Sequence, residues 1–356
     1  MAAIRRDSTV FACALTTFVL APVLASAIGA ATAQESPQDV ENFYRGKTVQ
    51  IIVGSSAGGG YDTYARLIAR HMGKHVPGNP GIIVSNMPGA GGNVAANNVY
   101  NVAPKDGTVI GAFQSGVILE PLLGLTPVKH DPSKFHYLGS ANDDVYICIA
   151  RTDSPVQTFD DILKKDLIVA ASGSSSTSDY PAVLNAVLGA KFKIVLGYPG
   201  SREISLAIER GEAQGACGLA WPSISVTQPG WFDSGRMKVI VQTHATGYPE
   251  LNAKSVPLAA SYAKTDEEKA ILALFFSQSR FGRPYVLAPE VPAARATAMR
   301  KAFADTMADA DFKGEAAKAR LDVDAVPGAD VQALVSKVYA SPPQIIARTK
   351  QAIHGK

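Results

Sequence analysis

Two patterns of hydrophobic and polar residues divide the chain into short apolar runs and longer segments with one apolar face. The runs at 48–53 and 81–85 predict buried strands, and apolar residues three and four apart between Tyr61 and Met72 predict a helix. A glycine-rich loop joins the first strand to this helix. Strand, glycine loop and helix in this order are typical of the opening of a parallel α/β sheet.

The same alternation of strands and helices resumes near Ala150 and continues into a mostly helical tail. Further strands are predicted at 108–113, 167–171, 194–196, 214–219 and 237–242. Further helices are predicted at 159–163, 202–209, 267–276, 292–307 and 330–339. The two halves look like similar lobes, so we expect an α/β fold with residues 34–149 and 281–356 in one lobe and residues 150–280 in the other.

Residues 1–33 have the pattern of a secretory signal peptide. Two arginines near the start are followed by an apolar stretch at 10–24 and then by small residues that end in Ala31-Thr32-Ala33. A positive start, an apolar middle and an A-x-A end predict export, with cleavage before Gln34. A retained membrane anchor is the alternative, which the small and partly polar end of the segment disfavours.

The composition narrows the class of protein and its partners. With 356 residues, 47% hydrophobic and 18% charged, the chain is not disordered, collagen-like or a disulfide scaffold. A net charge of +3 gives no polybasic surface, so we expect no nucleic-acid partner. Cys148 and Cys217 remain after cleavage, and an exported pair can form a disulfide. Both lie in apolar strand-like runs, which favours buried free thiols.

Three loops, at 54–60, 87–92 and 172–178, are candidates for binding an anion. Each leaves an apolar strand, enters a helix and is rich in glycine or hydroxyl residues. The first amides of a helix lack partners and the helix dipole is positive there, which favours an anion. Ligands of open α/β sheets bind at the carboxyl ends of the strands. One such loop is explained as a capped turn, whereas three in both halves predict an anion-binding cleft that includes Pro88, Gly89 and Ala90.

The first of these loops also matches an enzyme motif. Residues 54–58 match G-x-S-x-G, so the alternative function is a secreted serine hydrolase with Ser56 as nucleophile. The short lead before this strand leaves no room for the oxyanion loop that Ser56 needs. No Lys-Ser/Thr pair follows Gly60, and no dinucleotide fingerprint is present. His71 and His75 lack a third ligand. We therefore expect a protein without catalytic activity, cofactor or metal.

Several segments resemble one family of exported receptors. Tyr44-Arg-Gly-Lys-Thr-Val-Gln-Ile-Ile-Val53 and Ala57-Gly-Gly-Gly-Tyr-Asp-Thr-Tyr-Ala-Arg66 are similar to the opening of the tripartite tricarboxylate transporter solute receptors, also called Bug-type periplasmic binding proteins. The resemblance continues through 86–93 and 103–107 and covers essentially the whole mature chain. It implies two Rossmann-like lobes of the Venus-flytrap type around a ligand cleft. It also implies a small carboxylate ligand, a periplasmic location and transient docking on a two-component membrane permease.

The resemblance also implies which residues bind the ligand. By position in the family's motifs, the carboxylate would be held by Ser55, Gly58, Gly59, Tyr61, Asp62, Ser174, Ser175, Ser176 and Thr177. Gln114, Ser115 and Tyr198 would line the cleft from other loops. Asp62 also suits the first turn of its helix, where a carboxylate stabilises the dipole.

The chain departs from the family at two places in the expected cleft. The family often has Pro-Phe-x-Pro where this chain has residues 54–57, and an Asp-Ser pair where it has Leu219-Ala-Trp221. Trp221 therefore either replaces a lost apolar wall or packs in the core. The identity of the carboxylate and the oligomeric state stay open. We expect the lobes to close about crossings near Ala150 and Phe281, because closure expels water and strengthens contacts with an anion.

Overall fold

The computed structural model describes residue 9 and residues 35–55, 57–124, 128–172, 175–198 and 200–355. The predicted signal peptide (apart from residue 9), Ser56 and Ser174 lie outside the described residues. Residues Glu35–Lys356 form one compact unit. In the described part of this unit, helices cover two β-sheets, which confirms the expected α/β class with two sheets.

The strands confirm most of the predicted runs. In chain order, β1 to β11 are Thr48–Val53, Gly81–Asn86, Val109–Ala112, His136–Ser140, Tyr146–Arg151, Leu167–Ala170, Phe192–Val195, Gly215–Ala220, Met237–Thr243, Pro284–Leu287 and Val326–Pro327. The helices α1 to α15 are Pro37–Tyr44, Gly60–Met72, Asn93–Asn101, Gly116–Leu123, Phe159–Ile162, Ser176–Leu188, Ser201–Glu209, Trp221–Thr227, Pro229–Asp233, Pro249–Ala253, Asp266–Phe276, Ala293–Ala308, Ala310–Lys318, Gly328–Tyr339 and Pro343–His354.

Each sheet contains parallel strands that end at the predicted loops. The first sheet has the order β11-β4-β10-β3-β1-β2, and β1 is parallel to both β2 and β3. The second has the order β7-β6-β8-β5-β9, and β6 is parallel to β7 and β8. The carboxyl ends of neighbouring parallel strands meet at one edge of a sheet. The loops that follow β1, β2 and β3 therefore share one edge, and the loop after β6 has the same position in the second sheet.

The helix α2 shows how the sequence pattern fixes the first of these edges. Tyr64, Ala65, Ile68 and Met72 are buried against the first sheet, as their spacing predicts. Fully burying one large apolar side chain contributes about 1.5–3 kcal/mol, so this face holds the helix on the sheet. Gly59 caps the helix without a side-chain hydrogen bond, which leaves the first amides of α2 without a side-chain partner.

The chain passes between the sheets twice. It leaves β4 of the first sheet and enters β5 of the second, and it returns through a 3₁₀ turn at Ser277–Phe281 into β10. The two crossings are joined: the Asp144 amide donates to the Ser279 carbonyl at 3.0 Å, and the Ala141 amide donates to the Arg283 carbonyl at 3.0 Å. The C-terminal α15 packs on α4, α6 and α11, so it touches helices of both halves. The proposed lobe boundaries stay a prediction.

The two cysteines of the described chain form a disulfide, and the expectation of free thiols is wrong. Cys148 on β5 and Cys217 on β8 face each other across an antiparallel pair, with their Cα atoms 3.9 Å apart. Both side chains are fully buried. The expectation failed because burial of each cysteine was predicted from its own run, whereas the pairing of the two strands is a property of the fold.

The two histidines that were spaced one helical turn apart contact acidic residues. His71 Nε2 lies 2.7 Å from an oxygen of Glu315, and His75 Nε2 lies 3.1 Å from an oxygen of Asp309. Among the described residues there is no group of three or more histidine, cysteine or acidic side chains suited to a metal ion. The helices of the described chain are also too short or too polar to cross a bilayer.

Candidate functional site

The carboxyl ends of β1, β2 and β3 converge as the sequence predicted. A Cβ atom on Gly54, at the end of β1, would lie 3.0 Å from Gln114 Oε1 and 3.0 Å from Gly92 Cα. The Gln114 side chain donates from Nε2 to the Gly54 carbonyl at 3.2 Å. Only glycine permits this approach at residue 54, and Gly92 has a left-handed φ of 97°. The glycines of this edge thus bring three loops together.

The first loop, residues 54–60, is called the glycine loop. Gly58 and Gly59 are exposed at the start of α2, and Pro88, Gly89 and Ala90 of the neighbouring loop are exposed beside it. The Ser55 hydroxyl and Gln114 Oε1 are buried without a hydrogen-bond partner among the described residues. Buried polar atoms usually have a partner, so this edge has unused donor and acceptor capacity.

Asp62 is buried beneath the glycine loop and holds it through hydrogen bonds. Its side chain is almost fully buried: one oxygen accepts from the Gly58 amide at 2.8 Å and from Arg66 Nε at 2.9 Å, and the other accepts from Asn86 Nδ2 at 2.9 Å. Burial opposes ionisation, but the hydrogen bonds from Arg66, Gly58 and Asn86 outweigh it and lower the pKa of the carboxyl group. Both oxygens are therefore engaged by groups of the glycine loop, α2 and β2. Its contact with a ligand stays a prediction.

The loop at 172–178, called the serine loop, holds a triangle of hydroxyl groups at the start of α6. Ser172 Oγ lies 2.7 Å from Ser175 Oγ and 3.0 Å from Thr177 Oγ1, and the latter two are 2.9 Å apart. The Ser172 amide also donates to Thr177 Oγ1 at 3.0 Å. Each hydroxyl can rotate to donate elsewhere, so the triangle can turn its protons toward an anion.

The serine loop lines a cavity of about 530 Å³. The cavity walls are formed by Tyr146, Ser172, Ser175, Ser176, Thr177, Ser201, Arg202, Ser205, Gly218, Leu219, Ala220, Ser223, Ile224, Thr227 and Gln228. Arg202 lies in the first turn of α7 and adds a positive charge to a wall rich in hydroxyl groups. Cationic and hydroxyl donors beside a helix N-terminus are suited to a carboxylate.

Tyr61 and Ser115 lie at the junction between the two sheets. The Tyr61 hydroxyl donates to the Gly282 carbonyl at 2.9 Å, on the returning crossing. Burial raises the pKa of Tyr61 to about 12, against the charge of Arg283 and hydrogen bonds from Ser115. Burial also raises the pKa of Tyr146, against a smaller opposing effect of Ser115, and Tyr146 lines the cavity of the serine loop. The structure therefore connects the predicted residues of the first sheet to the serine loop.

Two predicted residues, Trp221 and Tyr198, are not among the residues that line this cavity. Trp221 is 3% exposed and packs edge-on against Phe232, with ring centroids 4.9 Å apart. Tyr198 is half-buried and packs against the same core. Of the two interpretations of Trp221, the contacts fit core packing, and a role toward the ligand stays a prediction for both residues.

Sequence reasoning missed Tyr146, Arg202 and Arg283. Tyr146 stands in an apolar strand, and Arg202 stands in a helix that was predicted from its apolar face, so neither residue stood out in the pattern. Arg283 was detectable, because a lone arginine between Gly282 and Pro284 opens a strand that is buried along its length. A charge at the start of a buried strand needs a physical reason.

The comparisons with known proteins agree with this geometry. No protein-family model matches the chain. It is 32% identical over 166 residues to a UPF0065 protein from the TAR-I ttuE-ttuC' intergenic region of Agrobacterium vitis, which is 44% of this chain and 46% of that protein. The chain thus spans about half the length of the curated relative that it matches.

Solved structures show the same fold over most of the chain. A TctC solute-binding protein from Polaromonas, without ligand, matches with a TM-score of 0.65 and 18% identity over 85% of this chain and 99% of its own. MatC from Rhodopseudomonas palustris, with bound malate, matches with a TM-score of 0.59 and 19% identity over 86% and 99%. The chain therefore has the two-lobed fold of periplasmic binding proteins. The expected resemblance to the tripartite tricarboxylate receptors of the Bug type is thus confirmed at the level of the fold.

Proposed function

We propose that the chain is an exported solute-binding protein that captures a small carboxylate-bearing metabolite between its two lobes. The observation that carries this proposal is the hydroxyl triangle of Ser172, Ser175 and Thr177, which opens with Arg202 on one cavity at the start of α6. Four donors and a helix dipole directed at one space suit a carboxylate. MatC, which shares the fold, binds malate, and this supports a carboxylate ligand here.

The binding energy requires that the lobes close on the ligand. Hydrogen bonds to a charged group contribute about 1.5–3 kcal/mol each, so four give roughly 6–12 kcal/mol before costs. Association costs about 4–15 kcal/mol, whereas micromolar affinity needs about 8 kcal/mol net. An open site therefore binds weakly. When the two crossings bend, the glycine loop would also contact the ligand. These contacts would supply the missing binding energy.

The protein would deliver its ligand to a two-component membrane permease after export to the periplasm. The resemblance to transporter receptors supports this partner and location. The lobes would present the closed, loaded form for transient docking. A receptor of this kind binds its ligand without converting it, which distinguishes it from the alternative hydrolase with Ser56 as nucleophile.

Calorimetry and a thermal-shift screen of carboxylates test the function. We expect a small carboxylate to raise the Tm of the mature chain, and Arg202→Gln and Thr177→Val to weaken its binding about tenfold each. Thr306→Val is the matched control, because Thr306 is also fully buried but bonds only the Ala302 carbonyl in α12. The same affinity in wild type, Arg202→Gln and Thr177→Val would refute the assignment of the site.

A fluorophosphonate probe tests the alternative function, a serine hydrolase with Ser56 as nucleophile. A receptor takes up no label, whereas labelling that disappears in Ser56→Ala would establish a serine hydrolase and overturn the proposed function.

A further inference from the structure

Strand β9 is an outermost strand of the second sheet, next to β5. The chain covers its outer edge at Gln242, whose amide donates to the Pro257 carbonyl at 3.0 Å and which forms an isolated parallel bridge with Leu258. Among the described residues, no strand lies beside residues 237–241 on this side. Outward-pointing N–H and C=O groups along such an edge are available to pair with another extended chain.

A cavity of about 650 Å³ lies along this open edge. It is called the edge groove and is bounded by residues 157–160, 237–240 and 254–257 and by the side chains of Trp221, Phe232 and Tyr262. A cavity of this size is large enough for a ligand. The open backbone of β9 therefore faces an enclosed space.

The edge groove reaches both faces of the sheet. Along β5, Cys148 packs in the core on one face and Ile149 in the core on the other, because successive residues of a strand point to opposite faces. Phe159 belongs to the first of these cores and Trp221 to the second, and both line the groove. The open space thus continues the sheet beyond β9, where a further strand would lie.

A pair of aromatic rings flanks the open edge on each face. The ring centroids of Phe159 and Tyr262 are 4.5 Å apart on one face, and those of Trp221 and Phe232 are 4.9 Å apart on the other. Tyr262 and Phe232 are only half-buried. An extended segment beside β9 directs successive side chains to opposite faces, so it would contact both pairs. This arrangement favours a strand over a compact ligand that fits one face.

The position of the edge within the groove indicates the kind of partner. Residues 157–160 and 254–257 line the groove beside β9. In a second copy of this chain the same segments would enclose the same strand, so two β9 edges could not meet unless these segments moved. A protruding extended segment of another polypeptide can enter the groove without such a movement.

One cation at the groove is without an acidic partner. Lys238 on β9 is exposed, lines the groove and forms no ion pair within the described part of the chain. Lys254 is paired with Glu250 at 2.7 Å, and Asp160 accepts from the Tyr262 hydroxyl at 3.4 Å. A partner segment with an acidic residue beside Lys238 would therefore gain a charge pair.

We propose that the edge groove binds an extended apolar segment of a partner polypeptide, which adds a sixth strand to the five-stranded second sheet. Its backbone pairs with the open edge of β9 at residues 237–241, and its side chains contact the aromatic pair on each face. An acidic residue of the segment faces Lys238. No step of this inference uses the carboxylate site, so calorimetry with carboxylates decides the proposed function separately.

Fluorescence anisotropy with labelled peptides tests the strand addition on the mature chain. The first peptide is a blocked hexapeptide with valine and leucine alternating at its four central positions and glutamate at each end. The second has the same side chains but N-methyl groups on the central amides, which removes the backbone donors and adds apolar surface. We expect the first peptide to bind saturably and the second to bind at least about tenfold more weakly.

A charge exchange locates the bound peptide. Lys238→Glu should weaken binding of the glutamate-ended peptide about two- to tenfold and strengthen binding of a lysine-ended peptide by a similar factor. Lys193→Glu is the matched control, because Lys193 is exposed on β7, the opposite edge strand of the same sheet. It should leave the affinities for both peptides unchanged.

Phe232→Ala tests the aromatic pair on one face and should weaken binding of the first peptide about tenfold. Phe43→Ala is its control, because Phe43 is also half-buried but packs against Tyr44 and the core of the first sheet. It should bind the peptide as wild type does. If Phe232→Ala does not fold, the exposed Lys238 keeps the site testable.

Four results would overturn the proposal. Equal affinities for the two glutamate-ended peptides would exclude backbone pairing, and equal effects of Lys238→Glu and Lys193→Glu would place the peptide elsewhere. No binding of either peptide would mean that Lys238 only protects the edge from aggregation. A dimer of the peptide-free protein in sedimentation, with a dimerisation constant that Lys238→Glu alone alters, would assign the groove to a second copy.

Discussion

The starts of α2 and α6 occupy equivalent places in the two sheets but obtain their hydrogen-bond donors differently. Each helix follows the carboxyl end of a parallel strand, and each runs for 13 residues. The serine loop carries three hydroxyl groups in contact with one another at the start of α6. The glycine loop offers backbone amides, and the acidic side chain in the first turn of α2, Asp62, accepts hydrogen bonds that hold the loop.

This difference shows that one topology can place hydrogen-bond donors at a strand end by local or by long-range means. In the serine loop the donors are neighbours in sequence, so the motif is visible before folding. Beside the glycine loop the cation is Arg283, which the returning strand β10 brings to Gly60. This approach depends on the correct placement of the two crossings.

The largest expected effect comes from the disulfide behind the serine loop. Replacing both Cys148 and Cys217 with alanine should lower the free energy of unfolding by about 2–5 kcal/mol, because the cross-link restricts the unfolded chain. Urea unfolding of the mature chain measures this, and the reduced wild type is the control, with a similar loss expected. Two free thiols in the denatured, non-reduced protein would contradict the disulfide.

A second test breaks the serine loop through Gly218 of β8. This glycine has a left-handed φ of 74°, and a Cβ atom there would lie 2.1 Å from the Ser176 carbonyl oxygen. Gly218→Ala should cost about 2–4 kcal/mol of stability, from strain and from overpacking, and should abolish carboxylate binding. Urea unfolding and calorimetry measure the two effects.

Gly235→Ala is the control for this substitution. Gly235 also has a positive φ, 70°, but nothing lies within 4 Å of its Cβ position. We expect a loss of about 1 kcal/mol from the backbone alone and unchanged ligand affinity. Equal effects of the two substitutions would mean that the contact with Ser176 does not shape the loop.

The third test removes the Asp62 carboxylate, which holds the glycine loop through hydrogen bonds. Asp62→Ala leaves the Gly58 amide and the Asn86 side chain without their acceptor and should cost about 1–3 kcal/mol at neutral pH. The folded pKa of Asp62 lies below its ordinary value of 3.8. Its contribution is therefore complete above that value and is lost as the pH falls through the folded pKa.

Urea unfolding at a series of pH values measures the difference between wild type and Asp62→Ala, which should shrink on acidification. Asp330→Ala, at an exposed first-turn aspartate of α14, is the control and should change stability by less than about 0.5 kcal/mol. A difference that is independent of pH would show that the charge of Asp62 does not brace the loop.

The sequence predicted which loops lie at the carboxyl edges of the sheets better than it predicted the contacts between distant segments. The helix α2 and the strand β1 were predictable from local sequence. One buried face determines the helix, and one apolar run determines the strand. The convergence of Gly54, Gly92 and Gln114 followed from the rule that parallel strands end together. These are the parts of the site that depend on residues close in sequence.

The missed features depend on contacts between distant segments. The pairing of Cys148 with Cys217 needs the register of β5 on β8, and the position of Arg283 needs both crossings. Asp62 accepts a hydrogen bond from Asn86 of the next strand, a contact that the pattern of its own helix does not indicate. Hydrophobic patterning does not specify which polar groups meet across a fold.

The smallest expected effect tests the approach of Arg283 to α2. Gly60 has no positive φ and begins the helix, so the backbone alone would let Gly60→Ala raise the free energy of unfolding by up to about 1 kcal/mol. Its new methyl group, 3.3 Å from Arg283 Nη1, should displace the guanidinium at a cost of about 0.5–1.5 kcal/mol, which offsets this gain. Gly314→Ala, with nothing within 4 Å of its Cβ position in α13, should show the full stabilisation. Urea unfolding of both variants decides: equal stabilisation by Gly60→Ala and Gly314→Ala would show that the guanidinium does not constrain the first residue of α2.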